Sequence, residues 1–62
     1  MIDLIKELKG VLEKKQISPE TAAQFIGTSG REVRRWLAGE ATPNVLSRKA
    51  IRTGFRRIER NL

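Results

Sequence analysis

The stretch Ile17–Pro43, ISPETAAQFIGTSGREVRRWLAGEATP, decides the fold of this chain, because it packs two helix starts and two helix stops into one short span. Ser18 is a natural N-cap: its hydroxyl oxygen can accept a first-turn N–H, and Pro19 suits the first helical position, where a missing N–H leaves nothing unsatisfied. Ile17, just ahead of the cap, is placed to pack back onto that first turn. Ala22, Ala23 and Ile26 then make a narrow apolar stripe, small enough for another helix to come close. Gly27 supplies the left-handed residue that ends a helix without strain. Only Thr28 separates it from Ser29, which stands three residues before Glu32 in the spacing of a capping box. The helix that follows carries Val33, Trp36 and Leu37 on one face and Arg31, Arg34 and Arg35 on the other. Gly39 and Pro43 close it. The spacing therefore predicts two short helices joined across Gly27-Thr28-Ser29, over about 18–39, with the second helix over 29–38.

Working outward, the same helical period continues on both sides. Leu4, Ile5, Leu8, Val11 and Leu12 fall on one face of a first helix, with Asp3 and Glu7 near its start and Lys14 and Lys15 near its end, as the helix dipole favours. Gly10 costs that helix about 1 kcal/mol of propensity, so it leans on packing. Beyond Pro43, a basic helix is expected over 44–61, with Ile51, Phe55, Ile58 and Leu62 at steps of four, three and four. Val45 and Leu46 read as its opening core contacts, and Gly54 as a place where it kinks or splits. No run alternates apolar and polar residues as a half-buried strand would. The expectation is all-α, a single domain over 1–62.

Composition narrows the chemistry. The chain has 62 residues, no cysteine, no histidine and a net charge of +6. A chain this short buries only about 60% of its unfolded surface, which leaves little for a deep substrate cavity. The missing histidine removes the commonest general base and the commonest metal ligand, and the missing cysteine removes any disulfide or thiolate zinc site. Ser18 and Ser29 read as caps rather than nucleophiles, with no histidine to activate them. No glycine-rich phosphate loop occurs, since neither Gly27 nor Gly30 leads into Lys-Ser/Thr. No apolar run is long enough for a membrane span or a signal-peptide core. The sequence thus points away from an enzyme and calls for no cofactor, metal or small-molecule substrate.

The charge is concentrated. Residues 31–62 hold nine basic and three acidic groups (Glu32, Glu40 and Glu59), whereas residues 16–30 hold only Glu20. An excess of this kind on a small surface is the electrostatic footprint of a polyanionic partner. The two short helices give it a geometry. They have the spacing of a helix-turn-helix, whose second helix fits the B-DNA major groove with its N-terminal end toward the base edges. Arginines opposite a packed Val/Trp/Leu face are held toward that groove, and arginine can give two parallel hydrogen bonds to guanine O6 and N7. Trp36 at this spacing reads as core and not as a base-stacking platform.

The stretch Ile17–Pro43 resembles the phage-repressor and Cro-type helix-turn-helix domains, on Ala23, Gly27, Val33, Trp36, Gly39 and Pro43. The resemblance, which takes in nearly the whole chain, implies a compact four- to five-helix bundle of lambda-repressor-like fold. It also implies a prokaryotic or phage transcriptional regulator that binds double-stranded DNA in the cytoplasm, at the nucleoid. Carried over, the base-reading positions are Ser29, Gly30, Arg31, Arg34 and Arg35, and the phosphate contacts lie in Ser18–Thr21 and Thr42–Asn44, chiefly Ser18, Thr21, Thr42 and Asn44. Two departures stand out. Pro19 replaces the glutamine that often opens the second helix, and offers a phosphate neither an amide nor an N–H. Gly30 has no side chain, which shifts reading to Arg31 and Arg35.

The basic helix leaves alternatives open. Arg48, Lys49, Arg52, Arg56, Arg57 and Arg60 suit nonspecific attraction to phosphates, with Arg48, Arg52 and Arg56 as the main contacts. They equally suit an acidic protein partner, an anionic membrane surface, or simple solubility. Phe55, Ile58 and Leu62 read either as core or as a homodimer seam. The competing function is a small protein-interaction module, an antitoxin- or phage-regulator-like adaptor working through this helix. A chain of this length has no room for an effector-sensing domain beside a DNA reader.

Overall fold

A computed structural model describes residues 3–62; the first two residues of the expected 1–62 domain lie outside it. Four helices follow one another: α1 Leu4–Lys15, α2 Pro19–Ile26, α3 Gly30–Leu37 and α4 Val45–Asn61, with no strand among the described residues. The bundle measures 27 × 21 × 20 Å.

Each start is made by the side chain just ahead of the helix. Asp3 accepts from the N–H of Ile5 at 3.0 Å and of Lys6 at 3.4 Å, Ser18 from Thr21 at 3.2 Å, Ser29 from Glu32 at 3.1 Å and Asn44 from Ser47 at 2.8 Å. These oxygens occupy first-turn donors that have no carbonyl of their own helix to bond. The capping box at Ser29 is half-made: no bond returns from Glu32 to the Ser29 N–H among the described residues, and the Glu32 carboxylate lies 3.9 Å from Arg35 Nη1 instead.

The stops are also local. α1, α2 and α3 each end on a left-handed residue, Gln16 (φ 55°), Gly27 (φ 91°) and Gly39 (φ 78°). In each case the next N–H reaches back five residues: Ile17 to the Leu12 carbonyl, Thr28 to Ala23 and Glu40 to Arg35. This is the Schellman closure, which recovers carbonyls the helix leaves unpaired. Glycine takes that backbone freely, whereas Gln16 has a Cβ to accommodate, and no glycine marks the first stop in the sequence. α3 ends at Leu37 with Ala38 as its cap, one residue short of the 29–38 expectation at each end.

The core is contiguous: Leu8 of α1, Ala22, Ala23 and Ile26 of α2, Val33 and Trp36 of α3, and Ile51 of α4, with Leu4, Ile5, Leu12, Ile17, Leu37 and Phe55 packed around them. Fully burying one of the large members contributes about 1.5–3 kcal/mol before entropy is counted. α2 is the hub. It packs against both α3 and α4, while α3 and α4 hardly touch each other.

Two expectations for α4 are overturned. Gly54 neither kinks nor splits the helix, which runs unbroken for 17 residues. It marks the crossing with α2: a Cβ built there would lie 2.6 Å from Ile26 Cγ1 and 3.1 Å from Ile26 Cα. Val45 and Leu46 are not core contacts but stand 70% and 76% exposed. The reason is register. Stepping back one turn from Ile51 lands on half-buried Ser47, which puts Val45 and Leu46 one row away, at the head of the cationic face. Of the residues read as core or seam, Ile58 is fully buried, Phe55 is half-buried against the core and Leu62 is exposed.

Candidate nucleic-acid interface

The α2–α3 unit holds its outer face stiffly. Val33 and Trp36 are 0% and 3% exposed, which fixes the rotation of α3 about its axis and turns Arg31, Arg34 and Arg35 outward, where all three are exposed. The turn from Gly27 to Ser29 is closed by the Thr28 bond at one end and the Ser29 cap at the other, so little backbone is free between the helices. An open hollow on this face is lined by Arg31, Arg34, Arg35, Ala38 and Glu40.

The three arginines are not equivalent. Arg31 has no ion-pair partner among the described residues. Arg35 is loosely paired, its Nη1 lying 3.9 Å from Glu32 Oε2 one turn earlier. Arg34 is ion-paired through Nη1 with Oε2 of Glu20, which reaches across from the first turn of α2. Pairs this exposed contribute little to stability, about 0–1 kcal/mol, but they fix where a side chain points. The same Glu20 side chain covers Gly30, half-buried beneath it. Nothing in the local sequence pattern announces this pairing; Glu20 stands out only as the one charge in residues 16–30.

The remaining expected residues fall into two groups. Ser18 and Ser29 are exposed, but each hydroxyl is engaged as a cap, and Ser18 Oγ also lies 3.1 Å from Thr21 Oγ1. Asn44 likewise uses Oδ1 as a cap, which leaves its amide N–H groups for a partner. Thr42 is exposed at the edge of a second hollow, between the α3–α4 loop and the start of α1, lined in part by Ile5, Lys9 and Leu37. Trp36 Nε1, buried beside this region, has no hydrogen-bond partner.

The second group lies on α4. Arg48, Lys49, Arg52, Arg56 and Arg60 are exposed and without ion pairs among the described residues, on the side opposite the buried Ile51, Gly54 and Ile58. From Arg48 to Arg60 this face extends about 18 Å along the axis. The helix that carries it hardly touches α3; each of the two packs mainly on α2. Arg57 is separate again: its Nη1 donates to the Phe25 carbonyl at 3.2 Å, tying α4 to the end of α2.

The described residues hold no group of three or more potential metal-ligating side chains, no charged or polar residue is buried, and no helix is long and apolar enough to cross a membrane. Compared with known proteins, the chain matches no family model, no curated protein and no solved structure.

Proposed function

We propose that this protein binds double-stranded DNA, with α3 lying in the major groove, and serves as a transcriptional regulator of the phage-repressor and Cro-type helix-turn-helix class. One observation carries the reading: an eight-residue helix whose inner face is locked by Val33 and Trp36 presents exposed Arg31, Arg34 and Arg35 on its outer face, one tight turn after a supporting helix. A rigid cationic ridge the width of one helix suits the groove, and arginine is the commonest reader of guanine there. Arg31 and Arg35 are the base-reading residues, Arg31 being free and Arg35 only loosely held. Ser18, Thr21, Thr42 and Asn44 serve in this reading as phosphate contacts, and the cations of α4 add attraction that no sequence modulates.

Selection of bound sequences from a random duplex pool, read at two salt concentrations, tests this. The expected result is a defined motif enriched more strongly at the higher salt, where nonspecific attraction is screened. A symmetric motif would also report a dimer and its half-site spacing. No enrichment over the starting pool at either salt would overturn the reading.

A second reading has its own support. The α4 cations sit on a helix that hardly touches α3, and exposed Val45 and Leu46 stand at the head of their face. A basic face with apolar residues at one end suits an acidic protein surface, as in an adaptor. Duplex affinity that is weak and lost near physiological salt, with no motif selected, would favour it.

A further inference from the structure

We propose that Glu20 is a specificity-determining residue of the groove-facing ridge: it holds Arg34 away from phosphate, so that the ridge reads bases through Arg31 and Arg35 without a third free cation driving nonspecific binding. This inference rests on the groove reading above.

Three observations lead to it. Glu20 and Arg34, on different helices, are ion-paired, and both side chains are about half exposed, at the rim of the outer face and not in the core. The pair therefore serves the surface more than the fold. Next, the chain makes room for it. A Cβ at Gly30 would lie 2.7 Å from Glu20 Cγ and 3.1 Å from its Cδ, so the carboxylate arm crosses the start of α3 in space that a side chain at residue 30 would contest. The position that offers no base-reading side chain is the one over which Glu20 passes. Lastly, the acids of this region gather here. Glu20 pairs with Arg34, Glu32 lies beside Arg35, and Glu40 shares the hollow with all three arginines, whereas the six cations of α4 have only Glu59 nearby in sequence.

The physical consequence concerns salt dependence. Each phosphate neutralised by a protein cation releases counterions and adds about 0.9 to the slope of log K against log salt. An arginine already neutralised by a carboxylate adds nothing, and the carboxylate itself repels a passing phosphate. Glu20 thus lowers affinity most for a duplex held by phosphate contacts alone, where a free Arg34 would find a phosphate in any register. It leaves bidentate readout by its neighbours untouched, which widens the gap between a right and a wrong sequence.

The test is a four-protein cycle on the full chain, with binding measured by fluorescence anisotropy across a salt series. One duplex carries the selected motif and a second carries it scrambled. For the scrambled duplex, wild type and Arg34→Ala are expected to share one slope, because Arg34 makes no phosphate contact while Glu20 holds it. Glu20→Gln, nearly isosteric and half exposed, is expected to bind the scrambled duplex more tightly with a slope steeper by about 0.9, and to narrow the ratio between the two duplexes. Glu20→Gln combined with Arg34→Ala is expected to return to the wild-type slope. Thermal melting of all four separates loss of fold from change of contact. A flatter slope in Arg34→Ala alone, or an unchanged slope in Glu20→Gln, overturns the proposal and leaves the groove reading standing. Failure of wild type to bind either duplex brings down both. In that event NMR of the Arg34 guanidinium, expected to rotate faster in Glu20→Gln, still reports whether the pair exists in solution.

Discussion

The two arginine-bearing helices of this small bundle are built on opposite plans. α3 is eight residues long, pinned by Val33 and Trp36, and its arginines are hemmed by Glu20, Glu32 and Glu40. α4 is 17 residues long, attached along Ile51, Gly54 and Ile58, and its outer cations stand without ion pairs among the described residues. Like charges one turn apart destabilise a helix by a few tenths of a kcal/mol each, so α4 bears a small standing cost that a polyanion would relieve. The difference teaches that charge alone does not mark a reading surface. On the groove reading proposed above, position comes from packing and selectivity from local neutralisation, whereas an unpaired stripe supplies attraction and little discrimination.

The sharpest way to break the contrast is to remove what pins α3. Trp36→Ala deletes a 3%-exposed side chain and is expected to cost about 3–5 kcal/mol. That is comparable to the whole stability of a domain this size, at roughly 0.05–0.15 kcal/mol per residue. Loss of a cooperative thermal transition together with loss of any selected motif is the expected outcome. Retention of sequence preference in a chain that no longer melts cooperatively would show that the ridge does not depend on its packing.

A smaller change strikes α4 at its attachment. Gly54→Ala puts a methyl group 2.6 Å from Ile26 Cγ1 and 3.1 Å from backbone, so the helices must move apart. The strain is expected at about 1–3 kcal/mol, offset in part by up to about 1 kcal/mol of gained helix propensity. Denaturant midpoints should therefore fall. A midpoint that rises would mean that α4 already rides farther from α2 than the crossing indicates.

Much of this was legible before any coordinates, and the division has a physical cause. Ser18, Ser29, Gly27 and Gly39 act within five residues of themselves, so spacing alone locates them, and Val33 and Trp36 follow from the helical period. What escaped the sequence acts between helices. Gly54 looked like a break because its contact, Ile26, lies 28 residues away; Glu20 looked like a lone charge because Arg34 sits on the next helix. Val45 and Leu46 were assigned to the core by hydrophobicity, although the row through Ile51 and Ile58 excludes them. Long-range partners leave no periodic mark.

The functional contrast itself is tested by paired arginine variants. Arg31→Ala and Arg35→Ala are each expected to cost about 1–3 kcal/mol on the selected motif and to relax preference at one base position. Arg52→Ala and Arg56→Ala are expected to weaken binding to all duplexes alike and to lower the salt slope by about one each. Should all four variants shift every duplex equally, the division between a reading helix and an attracting helix fails.

The smallest expected effect falls on the one α4 arginine that bridges the two plans. Arg57 lies among the basic residues but gives its Nη1 to the Phe25 carbonyl, near the end of α2, just ahead of the turn into α3. A hydrogen bond of this kind contributes about 0.5–1.5 kcal/mol. Arg57→Ala is therefore expected to lower the melting temperature slightly while leaving the salt slope of duplex binding where it was. Arg57 would then belong to the machinery that positions α2 and, through it, α3. A slope that drops by about one with no change in melting would return it to the attracting face. Since Arg56 differs from Arg57 by one position and 100° of helix rotation, the pair measures in a single comparison how far backbone docking and phosphate attraction are separated along α4.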